Sequence, residues 1–354
     1  MFLLAVGCSS AGEDEGAPFT SGADDQETPI DEPWGEPAGD DEGGGTGAAD
    51  DGGSSDGAEP GGEDSDGDVP PPPPPGDDDG AFAGCPQPLP GAWVFCEDFE
   101  TIADPGEVML DYQDSDGAFV LVDETGASGE RSMQVTYREE EEAAGWMVVT
   151  FGASPLAHGD RPTYAPEGSF QEVYWRLRLK TEPGWPDLGP GQLTRTISFA
   201  DADWSEAAVA HLRSAEGDVV LEGVPATCVN GEQIACSGFD DPVGQRSLGP
   251  MTGDHELFSN AESGKWHCVE GRMRLNSPGV ADGLFEFWVD DELQASRGDL
   301  DLRGSWTEYG INALVVENLW PGGAPQQLRR WIDDVVVSTE PIGCEPGPAG
   351  ATPN

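Results

Sequence analysis

The chain has 354 residues, 69 acidic against 16 basic, with a formal net charge of −53. A field of that sign repels phosphate backbones and anionic lipid, which excludes nucleic acid as a partner and leaves a lipid anchor as the route to a membrane. The charge is uneven: residues 1–84 carry 23 acids and no base, leaving 46 acids and all 16 bases to the remainder.

The chain opens with a short apolar run, Phe2-Leu3-Leu4-Ala5-Val6-Gly7, ending at Cys8 and followed by Ser9-Ser10. A secretory signal has a basic start and an apolar stretch of roughly 7–15 residues. Here the basic start is missing and the stretch sits at the short limit. Small residues before Cys8 resemble the lipobox of bacterial lipoproteins, so residues 1–8 are read as a truncated lipoprotein signal with Cys8 as the lipidated residue. The expected location is the bacterial cell envelope, by lipid anchor or export. Residues 9–84, with Gly43-Gly44-Gly45 and Pro70 through Pro75, bury almost nothing and are expected to be a disordered acidic linker. Repulsion extends such a chain, and the prolines add about 3.1 Å each as a stiff segment. Residues 345–354 are expected to be a disordered tail.

With Cys8 set aside, Cys85, Cys96, Cys228, Cys236, Cys268 and Cys344 form an even set that suits three disulfides in an oxidising compartment. No C-x-x-C spacing points to cysteine-held zinc or a redox motif. About 15 pairings are open. Cys228 and Cys236 bracket the turn-like Val229-Asn230-Gly231 and are expected to close a local loop. A bridge from Cys85 to Cys344 would staple the ends of the 85–344 domain.

From Trp93 onward the chain alternates short runs rich in β-branched and aromatic residues with Gly, Pro, Asp and Asn. Strands are predicted at 132–137, 146–151, 173–180, 193–199, 266–275, 284–289, 310–316 and 331–338. No run sustains a helical repeat, so the fold class is all-β, an antiparallel β-sandwich or jelly roll. Side chains alternate across a strand. On 173–180 one face is Val173, Trp175, Leu177 and Leu179, and the other is Tyr174, Arg176, Arg178 and Lys180. Glu270, Arg272 and Arg274 share a face, as do Glu286, Trp288 and Asp290. Two readings follow. One is a sugar-binding face in which Arg176, Arg178, Lys180, Arg272, Arg274 and Trp288 grip a uronate-containing or neutral glycan by ring stacking and bidentate hydrogen bonds. The other is a set of cross-strand ion pairs.

Lys265-Trp266-His267-Cys268-Val269-Glu270, then Arg274-Leu275-Asn276-Ser277-Pro278-Gly279, Ala281-Asp282-Gly283 and Phe287-Trp288-Val289-Asp290-Asp291 resemble a passage of the jelly-roll polysaccharide lyases of family 14, the alginate lyase type. Asp291 stands where that family has Gly. Phe95 through Glu100, Gly129 through Val135 and Trp331 through Val337 extend the resemblance over most of residues 93–338. It implies a concanavalin A-like sandwich. It also implies β-elimination on an acidic polysaccharide, in which a base takes the proton α to a uronate carboxylate and a cation neutralises that carboxylate. In the stretch Gly189-Pro190-Gly191-Gln192-Leu193-Thr194-Arg195, Gln192 occupies the place of the family's catalytic lysine, and the paired catalytic tyrosines have no counterpart. The candidate catalytic set is therefore Tyr174, Gln192, His211 and Arg213.

Glycosidase chemistry fits poorly, because Glu286 and Asp290 on one strand face lie about 13 Å apart at about 3.3 Å per residue. Glu97, Asp98 and Glu100 near the first strand and Asp333 and Asp334 in the last are candidate ligands for a structural Ca²⁺, since sandwich termini commonly pair. The functional expectation is a monomeric, lipid-anchored surface protein that binds an acidic polysaccharide, whether or not it also cleaves it by β-elimination. The alternatives are a non-catalytic carbohydrate-binding or adhesion module and a structural envelope lipoprotein.

Overall fold

The structure, a computed structural model, describes residues 84–123, 125–214 and 218–344. Cys8, nearly all of the 9–84 linker and the 345–354 tail lie outside the described residues.

The strands in chain order are β1 (Trp93–Glu97), β2 (Asp111–Gln113), β3 (Phe119–Asp123), β4 (Arg131–Tyr137), β5 (Ala143–Phe151), β6 (Thr163–Tyr164), β7 (Glu172–Thr181), β8 (Gln192–Phe199), β9 (Glu206–Ser214) and β10 (Leu221–Thr227). There follow β11 (Val229–Asn230), β12 (Gln233–Ile234), β13 (Arg246–Ser247), β14 (Met251–Thr252), β15 (Trp266–Arg274), β16 (Gly283–Val289), β17 (Glu292–Leu300), β18 (Ala313–Leu319) and β19 (Leu328–Ser338). They form an all-β jelly-roll sandwich. An eight-stranded sheet runs β17-β16-β15-β7-β19-β4-β3 with β1 on β19, and a nine-stranded sheet runs β13-β10-β9-β8-β18-β5-β2 with β14 on β10 and β6 on β5. The first and last strands pair, Glu97 opposite Val335, as expected of sandwich termini.

Alternation places the core. Val173, Trp175, Leu177 and Leu179 of β7 point between the sheets with Val269 and Met273 of β15 and Phe285, Phe287 and Val289 of β16. Trp175 stacks on Phe285 at 6.1 Å, and its indole N–H donates across the sandwich to the Thr194 hydroxyl at 3.1 Å. Gly271, opposite Trp175 in the β15–β7 register, makes room for that ring: a Cβ there would lie 2.2 Å from it. Gly271→Ala is therefore expected to cost about 1–3 kcal/mol, read as a lower urea midpoint at unchanged slope. Between β16 and β17 the chain turns on Asp290 and Asp291, both at positive φ (51° and 64°), the conformation of a type I′ hairpin. Aspartate tolerates it, which accounts for Asp291 at a position where glycine is usual.

The disulfides are Cys85–Cys96, Cys228–Cys236 and Cys268–Cys344. The local Cys228–Cys236 loop matches expectation. The Cys85–Cys344 staple is corrected: Cys85 closes an 11-residue separation onto β1, and Cys344 reaches β15. Among strands of five residues or more, the predictions passed over β1, β3, β9, β10 and β17. β10 is broken by Gly223 and Pro225, and β17 is largely solvent-facing, so neither shows a clean apolar period.

Candidate functional site

The outer face of the eight-stranded sheet carries the arginines as the alternation predicts, but the protein itself covers them. Arg176 donates to the Gly343 carbonyl at 2.9 Å and Arg178 to the Cys344 carbonyl. The Glu270 carboxylate accepts the N–H groups of Ile342 and Gly343 at 3.0 and 2.8 Å. Arg176 and Arg178 are only 5% and 2% exposed. Burial and the neighbouring Arg176 push Arg178 down to about 10, although Asp334 opposes this. Lys180 lies over the Trp266 and Trp331 rings, and Arg272 is held between Glu172 and Glu286 above Tyr174. Arg274 donates to the Asp282 carbonyl, and Trp288 is half-buried opposite Glu270. Arg176 and Arg178 are thus corrected from open sugar ligands to docking groups for residues 342–344, while Lys180, Arg272, Arg274 and Trp288 stay partly exposed beside them.

The catalytic candidates do not converge. Tyr174 belongs to the eight-stranded sheet, whereas Gln192, His211 and Arg213 lie together on the outer face of the nine-stranded one. There Gln192 sits opposite Arg213, and Arg195 opposite His211. Arg195 also faces Val315 of β18, and the next outward residue of that strand, Glu317, is opposite Trp146 of β5. Trp146, Glu317, Arg195 and His211 therefore form a polar row across four adjacent strands. Sequence reading missed three of them. The alternation test used on 173–180, applied to β8 and β18, exposes Arg195 and Glu317 in otherwise apolar runs.

Arg195 is the hub. It donates through Nε to Glu317 at 2.9 Å, through Nη1 to Asp240 at 3.0 Å and through Nη2 to Gln192 at 3.0 Å, and Nη1 lies 3.7 Å from Glu206. The Phe239 ring covers it at 4.9 Å. Arg213 is paired with Glu222 at 2.9 Å and keeps 43% of its side chain exposed. Beneath the row, the core guanidinium of Arg330 donates to the carbonyls of Gln192 and Glu317 at 3.2 and 2.7 Å, tying the ends of β8 and β18 together.

Arg195 faces two buried carboxyls, Glu317 and Glu206, and the exposed Asp240. Burial pushes Glu317 and Glu206 up to about 7 against the pull of Arg195. Burial, then Arg195 and Arg213, push His211 well below its ordinary value, so its imidazole is neutral 3.5 Å from Glu317. Burial likewise raises Glu97 to about 7 and Asp333 to about 8.

These shifts fix a pH dependence. A carboxyl raised in the folded state lends stability that is complete below its unfolded value, about 4.5 for Glu, and lost as pH rises through its folded value. Glu97, Glu206, Glu317 and Asp333 all act in that sense up to pH 7–8. His211 opposes them only below about 6.5, where the unfolded imidazole gains its proton. The melting temperature is expected to rise as pH falls from 8 toward about 5, with His211 offsetting one of the four carboxyls below about 6.5. A flat or opposite trend between 8 and 6.5 in calorimetric melts would contradict this charge assignment.

The carboxyls considered for Ca²⁺ are engaged as backbone acceptors. Asp98 accepts from Cys85 at 2.7 Å, Glu100 from Glu130 and Arg131, Asp333 from Ala127, Asp334 from the Ser128 hydroxyl and Glu97 from Phe99. Among the described residues they form no three-ligand group close enough to share one ion. In this structure the five carboxyls act as clamps on loop backbone and on the Ser128 hydroxyl.

No protein-family model matches the chain, and no curated protein matches it in sequence. Among solved structures, an endo-β-1,4-glucuronan lyase from the fungus Trichoderma reesei is 13% identical, covering 70% of this chain and 96% of its own, at a TM-score of 0.47. A family 14 alginate lyase from Aplysia kurodai has the same identity and score, covering 70% and 99%. An alginate lyase from a Chlorella virus is 12% identical, covering 66% and 100%, at 0.44. At such identities and scores the likeness is one of fold and carries nothing about chemistry.

Proposed function

We propose that the domain is a carbohydrate-binding module that takes a polysaccharide at the partly exposed margin of the outer face of the nine-stranded sheet, on Trp146, Gln192 and Arg213. One observation carries this reading: partly exposed Trp146 ends a row whose other members, Glu317, Arg195 and His211, are buried on a face otherwise lined by Val148, Ile197, Val209 and Val315. Burying ionisable groups is costly, and apolar residues would serve a mere scaffold better. At the row's margin, Trp146, Gln192 and Arg213 remain partly exposed and supply a ring, an amide and a guanidinium suited to sugar faces and hydroxyls.

The module reading is favoured over cleavage because both arginines placed on this face by β8 and β9 are already matched by carboxyls of the chain, Arg195 by Glu317 and Asp240 and Arg213 by Glu222. Uronate elimination requires a cation for the substrate carboxylate. The second reading, β-elimination with His211 as base and Glu317 as proton donor, is supported by the neutral imidazole beside a proton-holding carboxyl. The six paired cysteines fit an oxidising compartment. We place the protein at the cell envelope, anchored through Cys8 as a monomer.

A panel of neutral and uronate polysaccharides in affinity electrophoresis tests this. Trp146→Ala is expected to weaken retardation at least about tenfold, about 1.4 kcal/mol, and Arg213→Ala to weaken it less with little loss of stability. Retardation unchanged in both variants would reject the face. Growth of unsaturated-uronate absorbance that His211→Ala abolishes would replace the module reading with the lyase reading.

A further inference from the structure

Residues 253–265, between β14 and β15, build a second polar centre from side chains the first reading does not use. His267, at the start of β15, is 5% exposed, and its Nδ1 lies 2.7 Å from the Asp290 carboxylate. A carboxylate only accepts, so Nδ1 donates to Asp290 and Nε2 is the ring atom turned toward the loop. Nε2 faces two further acceptors, the Glu262 carbonyl at 3.4 Å and carboxylate Oε2 at 3.5 Å. The His255 ring stands 5.4 Å from that of His267, and its Nε2 is buried without a hydrogen-bond partner. Acceptors gathered in this way are stabilised by a cation among them, and the buried, unpartnered Nε2 of His255 supplies a further ligand atom that a proton on His267 would leave unused.

We propose that His255, Glu262 and His267 bind one Zn²⁺ ion through their two imidazoles and a carboxylate oxygen, with a fourth position open to solvent. Their ligating atoms all lie within 4.8 Å of one another. A tetrahedral zinc shell needs about 3.3 Å between ligand atoms, so side-chain rotations alone close it. Two imidazoles favour a borderline first-row ion over Ca²⁺ or Mg²⁺. Asp290 behind His267 supplies the carboxylate–histidine support that fixes tautomer and raises ligand basicity. Lys265 holds Glu262 at 2.9 Å, but its side chain is 57% exposed and can swing away. The loop is pinned by Gln294, whose side-chain oxygen accepts the N–H groups of Asp254 and His255. The open side faces a pocket of about 400 Å³ whose lining includes Asp254, Glu256 and Glu292, an acidic mouth that concentrates cations.

The test is calorimetric titration of the full, disulfide-intact chain with ZnCl₂ in excess CaCl₂, which occupies the acidic linker. One equivalent is expected. His255→Gln and Glu262→Gln, both at half-buried positions, should weaken it at least about tenfold, and Asp290→Asn by about 10–100-fold. Trp146→Ala should leave it unchanged, and His255→Gln should leave glycan retardation unchanged, so this site and the sugar face fail independently. Imidazole NMR signals of the unmutated chain that shift on one equivalent of zinc give a second readout needing no variant. Zinc uptake equal in all variants would place the ion on other carboxylates and overturn the site. No uptake, with His267 titrating as an imidazolium stabilised by Asp290 and Glu262, would overturn it as well.

Discussion

Arg195→Met is expected to destabilise the domain by about 3–5 kcal/mol at pH 8, the usual cost of removing one partner from a buried ionic group. The loss comes from what remains: Glu317, Glu206 and Asp240 would crowd one face without a counter-charge, two of them 2% and 0% exposed. Because burial already holds Glu317 and Glu206 at about 7, acid should relieve the variant by protonating both. The destabilisation is expected to be clearly smaller at pH 5.5 than at pH 8. Glu317→Gln added to Arg195→Met should recover part of it, since the two side chains share a 2.9 Å hydrogen bond and their effects cannot add. Urea denaturation of the four proteins at both pH values measures the cycle. Equal losses at the two pH values would mean that the buried acids are ionised in the native state.

Strand order is a long-range property, and the sequence carried it only in part. Period-two alternation on β7, β15 and β16 gave the correct inward residues, because those strands bury one face against a core of Trp175, Phe285 and Phe287. What lies on the other face of a strand is decided by segments distant in sequence. Arg176 and Arg178 read as open cations because their partners, the carbonyls of Gly343 and Cys344, are backbone groups some 166 residues away and leave no mark in composition. Tyr174 shares their strand, so it falls on the sheet opposite to Gln192 and His211. The buried hub was legible in principle: an arginine within Leu193-Thr194-Arg195-Thr196-Ile197 and a glutamate after Val315-Val316 are polar residues where apolar ones belong. The zinc-binding set was not, since His255, Glu262 and His267 are joined by a loop whose course no short motif dictates.

Replacing Cys268 and Cys344 together by serine is expected to cost about 4 kcal/mol, because the bridge closes a separation of 76 residues and its loss returns that loop's entropy to the unfolded chain. The larger consequence is local. Residues 340–344 are held by the bridge and by polar clamps: Arg176 and Arg178 on the carbonyls, Glu270 on two N–H groups, and Asp291 on the Cys344 N–H at 2.8 Å. Each clamp joins a charged side chain to backbone at the sheet surface. Released from the bridge, the segment competes with water for those same groups and is expected to fray. Glu270→Gln should therefore cost about 1.5–3 kcal/mol in the bridged protein, the range for a hydrogen bond to a charged group, and markedly less in the serine variant. Hydrogen exchange at Ile342, Gly343 and Cys344 should lose protection in step. If the cost of Glu270→Gln is the same with and without the bridge, the polar clamps alone dock the segment, and the disulfide acts only on the unfolded chain. If it shrinks, the covalent link is what keeps two buried arginines from presenting their charge on that sheet.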